Sequence, residues 1–157
     1  MLYAATLTTD VNEQLKYYEM ATVKDPKDYR GWNNVGWAYL NMGKADEAMI
    51  ALEKAKAIKN DDVVKNNMGF AALRNEDFKA ASEYFGSMSA ATPESKFGLG
   101  TIAIHDGKYD QAVNLLGDKP SMNLALAQLL KGDINKAKTT MDAVPNCKCG
   151  APSYLKA

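Results

Sequence analysis

The residues with the clearest capacity for chemistry are few and far apart in this chain. His105 is the only histidine, and the two cysteines, Cys147 and Cys149, are separated by one residue. A general base needs a positioned nucleophile, and the sequence shows none for His105. Two thiolates are too few for a closed zinc site, and their close spacing strains a mutual disulfide. The acidic pairs Asp61-Asp62 and Glu76-Asp77 are expected to cap helices. We therefore predict no catalytic set, metal site or cofactor.

One segment, Gly98–Ala103, matches the dinucleotide-loop pattern G-x-G-x-x-A. Such a loop follows a strand and opens a helix within a βαβ unit. No segment of this chain alternates polar and apolar residues with a period of two, so no strand is expected. We interpret the glycines as helix-packing residues.

His105 lies just before Gly107 and is expected to end a helix, where the helix dipole favours a cation.

Composition excludes several classes of partner. The chain has 157 residues, 19 basic and 19 acidic side chains and a formal net charge of zero. A nucleic-acid partner requires a basic face, which this balance does not favour. No apolar run approaches the roughly 18 residues of a membrane helix. Met1–Ala5 has no basic region before an apolar stretch, so no secretory signal is visible.

Paired amphipathic segments set the expected architecture. Apolar residues recur at helical spacing on both sides of short turns such as Asn41–Lys44 and Asp106–Lys108. Gly36, Gly69 and Gly100 hold the same place in successive units. A glycine inside a helix costs about 1 kcal/mol relative to alanine, so its recurrence at one place indicates close helix packing. The sequence predicts an all-α chain of helical hairpins.

The segment from Trp32 to Tyr39 resembles the tetratricopeptide repeat (TPR) family pattern W-x2-L-G-x2-Y. Trp32, Val35, Gly36 and Tyr39 occupy its marked positions. Further residues match the pattern of the family's second helix: Ala48, Leu52 and Ala55. The resemblance implies an all-α superhelix of antiparallel helix hairpins, a TPR solenoid.

The same frame divides the chain into repeats of unequal length. Gly36 to Gly69 is 69 − 36 = 33 residues, Gly69 to Gly100 is 100 − 69 = 31, and Gly100 to Ala125 is 125 − 100 = 25. The shortest unit is expected to lose part of its second helix, between Tyr109 and Gly117. We expect a fragment of a longer, bacterial protein, because both ends fall inside repeats. The predicted segments are a partial repeat at 1–27, repeats at 28–61 and 62–92, a shortened repeat at 93–117, a repeat at 118–149, and the start of a further repeat at 150–157.

The resemblance also implies a concave binding groove lined by the first helix of each repeat. The chain has 17 lysines but only two arginines, and both arginines fall on that face. Arginine and aromatic residues are the usual hot spots of protein interfaces. Asn33, Asn66 and Asn67 are expected to bond to an extended peptide backbone. The predicted groove residues are Arg30, Asn33, Trp37, Asn41, Asn66, Phe70, Arg74, Phe97, Thr101 and His105. In the fourth repeat the same positions hold Lys119, Met122, Leu126, Leu129 and Leu130.

The carboxylate clamp of chaperone-binding family members does not carry over. At its positions this chain has Asn33, Trp37, Glu94 and Gly98, and only Asn67 agrees with the clamp. Binding to the acidic C-terminal tails of chaperones is therefore not expected.

These observations predict a non-catalytic scaffold that binds a partner peptide or helix in the groove. The alternatives are a structural spacer or self-assembly segment of a larger cell-envelope protein, and a regulatory domain fused to an enzyme. The compartment is left open between the bacterial cell envelope (periplasm), which is favoured, and the cytoplasm, and self-association is a further expectation.

Overall fold

The computed structural model describes residues 8–117 and 119–144, which are helical apart from turns and short connections. The chain forms two compact units, one up to Ser95 and one from Lys96 onward, so their boundary falls inside a helix. Predictions for Met1–Ala5, for the two cysteines and for residues 150–157 lie outside the described residues. The helices are α1 Val11–Lys24, α2 Tyr29–Asn41, α3 Ala45–Ile58, α4 Asp62–Arg74, α5 Phe78–Gly86, α6 Pro93–His105, α7 Tyr109–Leu116, α8 Met122–Lys131 and α9 Ile134–Asp142.

Helix starts follow from short polar side chains. Asp28 accepts a hydrogen bond from the Arg30 backbone N–H at 3.0 Å, and Asp61 accepts one from Val64 at 3.2 Å. Asp77 and Ser121 cap α5 and α8 in the same way. Each cap supplies an acceptor for a backbone N–H that has no partner within the helix. The expected capping role of the acidic pairs is thus confirmed for Asp61 and Asp77.

The four hairpins, α2–α3, α4–α5, α6–α7 and α8–α9, close through the same turn. A residue with positive φ follows each first helix, and the next backbone N–H donates to the carbonyl five residues back. In the α2–α3 turn, Lys44 N–H donates to the Tyr39 carbonyl at 2.9 Å. In the same turn, Gly43 N–H donates to the Leu40 carbonyl at 3.1 Å. These two hydrogen bonds satisfy carbonyl groups that have no partner within the helix. The positive-φ residues are Gly43, Glu76, Gly107 and Gly132.

Close helix contact in each of the first three hairpins depends on a glycine. A Cβ built on Gly36 lies 2.5 Å from Cγ of Leu52, and one on Gly100 lies 2.6 Å from Cγ of Leu116. A Cβ on Gly69 lies 2.5 Å from Cε1 of Phe85. Each large side chain follows its glycine by the same interval, since 52 − 36, 85 − 69 and 116 − 100 all equal 16. The Gly98–Ala103 segment lies within α6, so the helix-packing interpretation of Gly100 is confirmed.

Apolar side chains of consecutive helices form the core of each unit. In the first unit one cluster joins α2, α3 and α4 around Leu52, Val64 and Met68, all fully buried. A second cluster brings Tyr18 of α1 against Val35 of α2. In the second unit the core joins α6, α7 and α8 through Ala103, Ala112, Leu116, Leu124 and Ala127. The shortened second helix, α7, begins at Tyr109 and ends at Leu116, as the repeat spacing predicts.

Replacing Gly69 by alanine should destabilise the chain. The new methyl group meets the ring of Phe85, which is only 3% exposed and cannot move into solvent. We expect Gly69→Ala to lower the free energy of unfolding by about 1–3 kcal/mol in urea titrations, the usual cost of overpacking. Gly86→Ala is the matched control, because Gly86 is also helical but has open space around it. Equal effects of the two substitutions would contradict the packing role of Gly69.

Glu76 should be replaceable by glycine with a gain in stability. It adopts φ 59°, a backbone conformation that is unfavourable in free energy for residues with a Cβ, whereas the other three hairpins have glycine at this position. We expect Glu76→Gly to raise the free energy of unfolding by up to about 1 kcal/mol, because strain relief exceeds the added flexibility of the unfolded chain. Glu76→Ala removes the same charge but keeps the Cβ, and a similar gain there would refute the strain argument.

Candidate functional site: the first-helix surfaces

In the first unit, α2 and α4 lie side by side through a pair of buried asparagines. Asn67 Nδ2 donates to Asn33 Oδ1 at 3.0 Å, and the two residues are 9% and 6% exposed. That Asn33 and Asn67 bond to a peptide backbone stays a prediction, and in this structure their side chains are hydrogen-bonded to each other. Burying an amide without a hydrogen-bond partner costs free energy. The hydrogen bond between Asn33 and Asn67 reduces that cost and so allows both side chains to be buried.

Trp37 and Asn41 lie on the exposed side of α2. The Trp37 side chain is 40% exposed, and Asn41 Nδ2 donates to the Trp37 carbonyl oxygen at 3.0 Å. The other tryptophan, Trp32, has a structural position, because its indole N–H donates to the Pro26 carbonyl and Lys54 Nζ lies 4.3 Å from its ring centroid. Trp37 is thus the tryptophan available for a partner.

The two arginines have different surroundings. Arg30 forms a bidentate pair with Asp28, with Nε–Oδ1 at 2.9 Å and Nη2–Oδ2 at 2.7 Å. This hydrogen bonding lowers the pKa of the Asp28 carboxyl group, which also caps α2. Arg74 is exposed at the end of α4 and forms no ion pair within residues 8–117 and 119–144. Arg74 is therefore the arginine of the predicted set whose guanidinium is uncommitted.

The side chains of Phe70 and Asn66 on α4 are more buried than the sequence pattern indicates. Phe70 is half-buried and meets Phe85 edge to face, with ring centroids 5.2 Å apart. Asn66 Oδ1 is buried and has no hydrogen-bond partner in the described part of the chain. Phe70 therefore contributes mainly to packing, while Val63, at the start of the same helix, is 57% exposed.

In the second unit, the predicted residues of α6 are already engaged with their neighbours. Thr101 donates its hydroxyl to the Phe97 carbonyl at 2.9 Å and accepts from Asn123 Nδ2 at 2.8 Å. His105 ends α6, as expected, with Nδ1 at 3.3 Å from Asp106 Oδ1. The pKa of the Asp106 carboxyl is lowered, mainly by its hydrogen bond from Lys108 and then by His105. Phe97, in contrast, is 40% exposed.

An apolar stripe on α8 is the main feature of the second unit. Met122, Leu126 and Leu130 are 37%, 44% and 45% exposed, and their spacing of four residues places them along one face of α8. The Thr101–Asn123 hydrogen bond holds α6 beside α8. Sequence reasoning assigned these three residues to the groove face but did not include them among the binding residues.

Asn123 is a positioning residue that sequence reasoning missed. Asn67 and Asn123 each donate from a first helix to a side chain on the preceding first helix of the same unit. Each lies two residues before the small packing residue of its helix, Gly69 or Ala125. This shared position in the sequence could have identified Asn123 as a residue that bonds to the preceding first helix. In α6 the equivalent residue is Gly98, which has no side chain to donate.

The exposed groups of these surfaces include aromatic, apolar and guanidinium side chains. Among the described residues no group of three or more His, Cys, Asp or Glu side chains is placed to hold a metal ion. None of the described helices is both long enough and apolar enough to cross a bilayer.

The asparagine pair should show strong energetic coupling. Asn67→Ala leaves Asn33 without its buried donor and should cost about 1–3 kcal/mol of unfolding free energy. Replacing both residues by leucine removes donor and acceptor together, so the double variant should recover most of the loss. A double-mutant cycle measured by urea unfolding tests this, and additive losses would show that the hydrogen bond is not a coupled pair.

Two tetratricopeptide repeat models match the sequence, one at residues 29–62 and one at residues 67–119. No sequence among the curated proteins matches the chain. The fold is similar to a chain of the APC/C hetero-tetramer Cut9–Hcn1, with TM-score 0.76 and 18% identity over 85% of this chain and 29% of that chain. It is also similar to MamA, with TM-score 0.65 and 18% identity over 85% of this chain and 86% of the MamA chain. The fold is similar as well to YrrB, a TPR protein with an unusual peptide-binding site, with TM-score 0.65 and 20% identity over 93% of this chain and 86% of the YrrB chain. With its helical hairpins and their recurring glycine contacts, this chain belongs to the tetratricopeptide repeat family.

Proposed function

We propose that the chain is a non-catalytic scaffold that binds a peptide or helix of a partner protein on its first-helix surfaces. The TPR repeat is in general a protein-interaction fold without catalytic activity of its own. YrrB, which has the same fold and a peptide-binding site, supports a peptide as the class of partner. The chain spans less than a third of the Cut9–Hcn1 chain it matches, so the activity of a longer protein is not inferred from that similarity.

One observation carries the proposal for the first unit. Trp37 and Arg74 lie on adjacent first helices and are exposed, and Arg74 forms no ion pair in the described residues. An exposed tryptophan is stabilised when a partner covers it, and a guanidinium binds carboxylates in a planar, two-bond geometry. We therefore place the anchor residues of the interface at Trp37 and Arg74, with Asn41 and Val63 around them.

The test uses peptides selected for binding to the whole chain from a random display library. The Trp37→Ala and Arg74→Ala double variant should weaken a selected peptide by about 30-fold, equivalent to about 2 kcal/mol, as expected for interface hot spots. Arg30 is left intact because it supports the cap of α2. Fluorescence anisotropy gives the Kd, and circular dichroism confirms that the variant is folded.

Ile50→Ala is the matched control, because Ile50 is 62% exposed but lies on a second helix, α3. The proposal is wrong if selected peptides lose affinity with Ile50→Ala and keep it with the double variant. A library that yields no binder above background also counts against it. Sedimentation that shows mass rising with concentration, abolished by Ile50→Ala, would favour the self-assembly alternative.

A further inference from the structure

The exposed surface of α8 differs chemically from that of the first unit. Met122, Leu126 and Leu130 form a stripe about 12 Å long, at 1.5 Å of rise per residue. Isolated exposed apolar residues are ordinary, but three at one helical face form a contiguous patch. The buried face of α8 is separate, since Leu124, Ala125, Ala127 and Gln128 supply it.

The neighbouring polar groups of this unit offer little to an extended peptide. The Thr101 hydroxyl is used as donor and acceptor, by Phe97 and Asn123. The Ser121 hydroxyl accepts from the Leu124 backbone N–H as the cap of α8. An extended peptide laid on the stripe would bury backbone groups without partners, at a cost of a few kcal/mol each. A helix satisfies its own backbone groups, so it leaves none of them unpaired on an apolar surface.

The charge distribution around the stripe favours an acidic occupant. Neither α8 nor the part of α6 from Lys96 to His105 contains an acidic residue. Lys119 lies just before α8, is exposed, and forms no ion pair within the described part of this unit. Among the described residues, Asp106 pairs with Lys108 and Asp110 with Lys131. Asp118, next to Lys119 in the sequence, lies outside the described residues.

We propose that the stripe of Met122, Leu126 and Leu130 binds an amphipathic α-helix of a partner protein, with acidic residues flanking the apolar face of that helix. This inference rests on the proposed scaffold function and names the class of ligand for the second unit. The helix places apolar side chains at successive turns against α8. Its carboxylates lie near Lys119.

The experiment measures binding of designed helical peptides to the full chain by fluorescence anisotropy. The probe is a peptide of about 20 residues, long enough for some 30 Å of helix, with leucines on one face and glutamates on both flanks. A second peptide replaces the glutamates by lysines. A third has the composition of the first but carries central prolines, which prevent the helix.

The glutamate-flanked helix should bind, with helicity rising on binding, and Leu126→Asp should weaken it tenfold or more. Ile134→Asp is the matched control, because Ile134 is 64% exposed and lies on α9, and it should change the Kd less than twofold. Lys119→Glu should weaken the glutamate-flanked helix severalfold at low salt. That difference should shrink as salt screens the charges.

Equal binding of the lysine-flanked helix would overturn the acidic assignment, and equal binding of the proline-containing peptide would overturn the helical one. Failure of all helices to bind would overturn both. Dimerisation of the free chain, abolished by Leu126→Asp in sedimentation runs, would assign the stripe to a second copy and also overturn the proposal. Trp37 and Arg74 lie in the other unit, so loss of peptide capture there is a separate result from loss of helix binding at Leu126.

Discussion

The contact between a helical glycine and a large side chain sixteen residues later determines much of this structure. Gly36, Gly69 and Gly100 remove a Cβ at the point where the second helix crosses the first, and Leu52, Phe85 or Leu116 fills the space. The two helix backbones can then approach more closely than side chains would allow. That approach leaves the opposite face of each first helix with no partner inside its own hairpin. The exposed surfaces of these first helices are a direct consequence of this geometry.

The repeat geometry was predictable because local rules determine it. Capping aspartates, turn glycines and the recurring glycine are each visible in one stretch of sequence, and they agree with one another. The two-helix hairpin needs only short-range contacts. Glu76 was the exception, since its turn keeps the geometry of the glycine turns without a glycine.

The exposure of individual groove residues was not predictable from periodicity. Trp37 and Phe70 hold the same place in successive repeats, yet Trp37 is exposed while Phe70 packs on Phe85. The residue opposite the packing glycine also differs, since it is leucine in the first of these hairpins and phenylalanine in the next. Arg30 and Arg74 also differ, because only Arg30 has an aspartate two residues before it. The Phe70 case involves a contact between two helices, whereas the Arg30 case depends on a local pair with the cap residue of its own helix.

The constant interval within a hairpin also tells where this chain tolerates changes in length. From each large side chain to the packing residue of the next first helix, the count falls from 69 − 52 = 17 to 100 − 85 = 15 and then 125 − 116 = 9. All variation in repeat length therefore lies between that large side chain and the next packing residue, and the second helices shorten within it, from 14 residues in α3 to 9 in α5 and 8 in α7. The connections between hairpins also lie in this interval, at residues 59–61, 87–92 and 117–121. For anyone recombining repeats, these connections are the natural splice points. A cut placed there exchanges whole hairpins and leaves every glycine with its own opposing side chain.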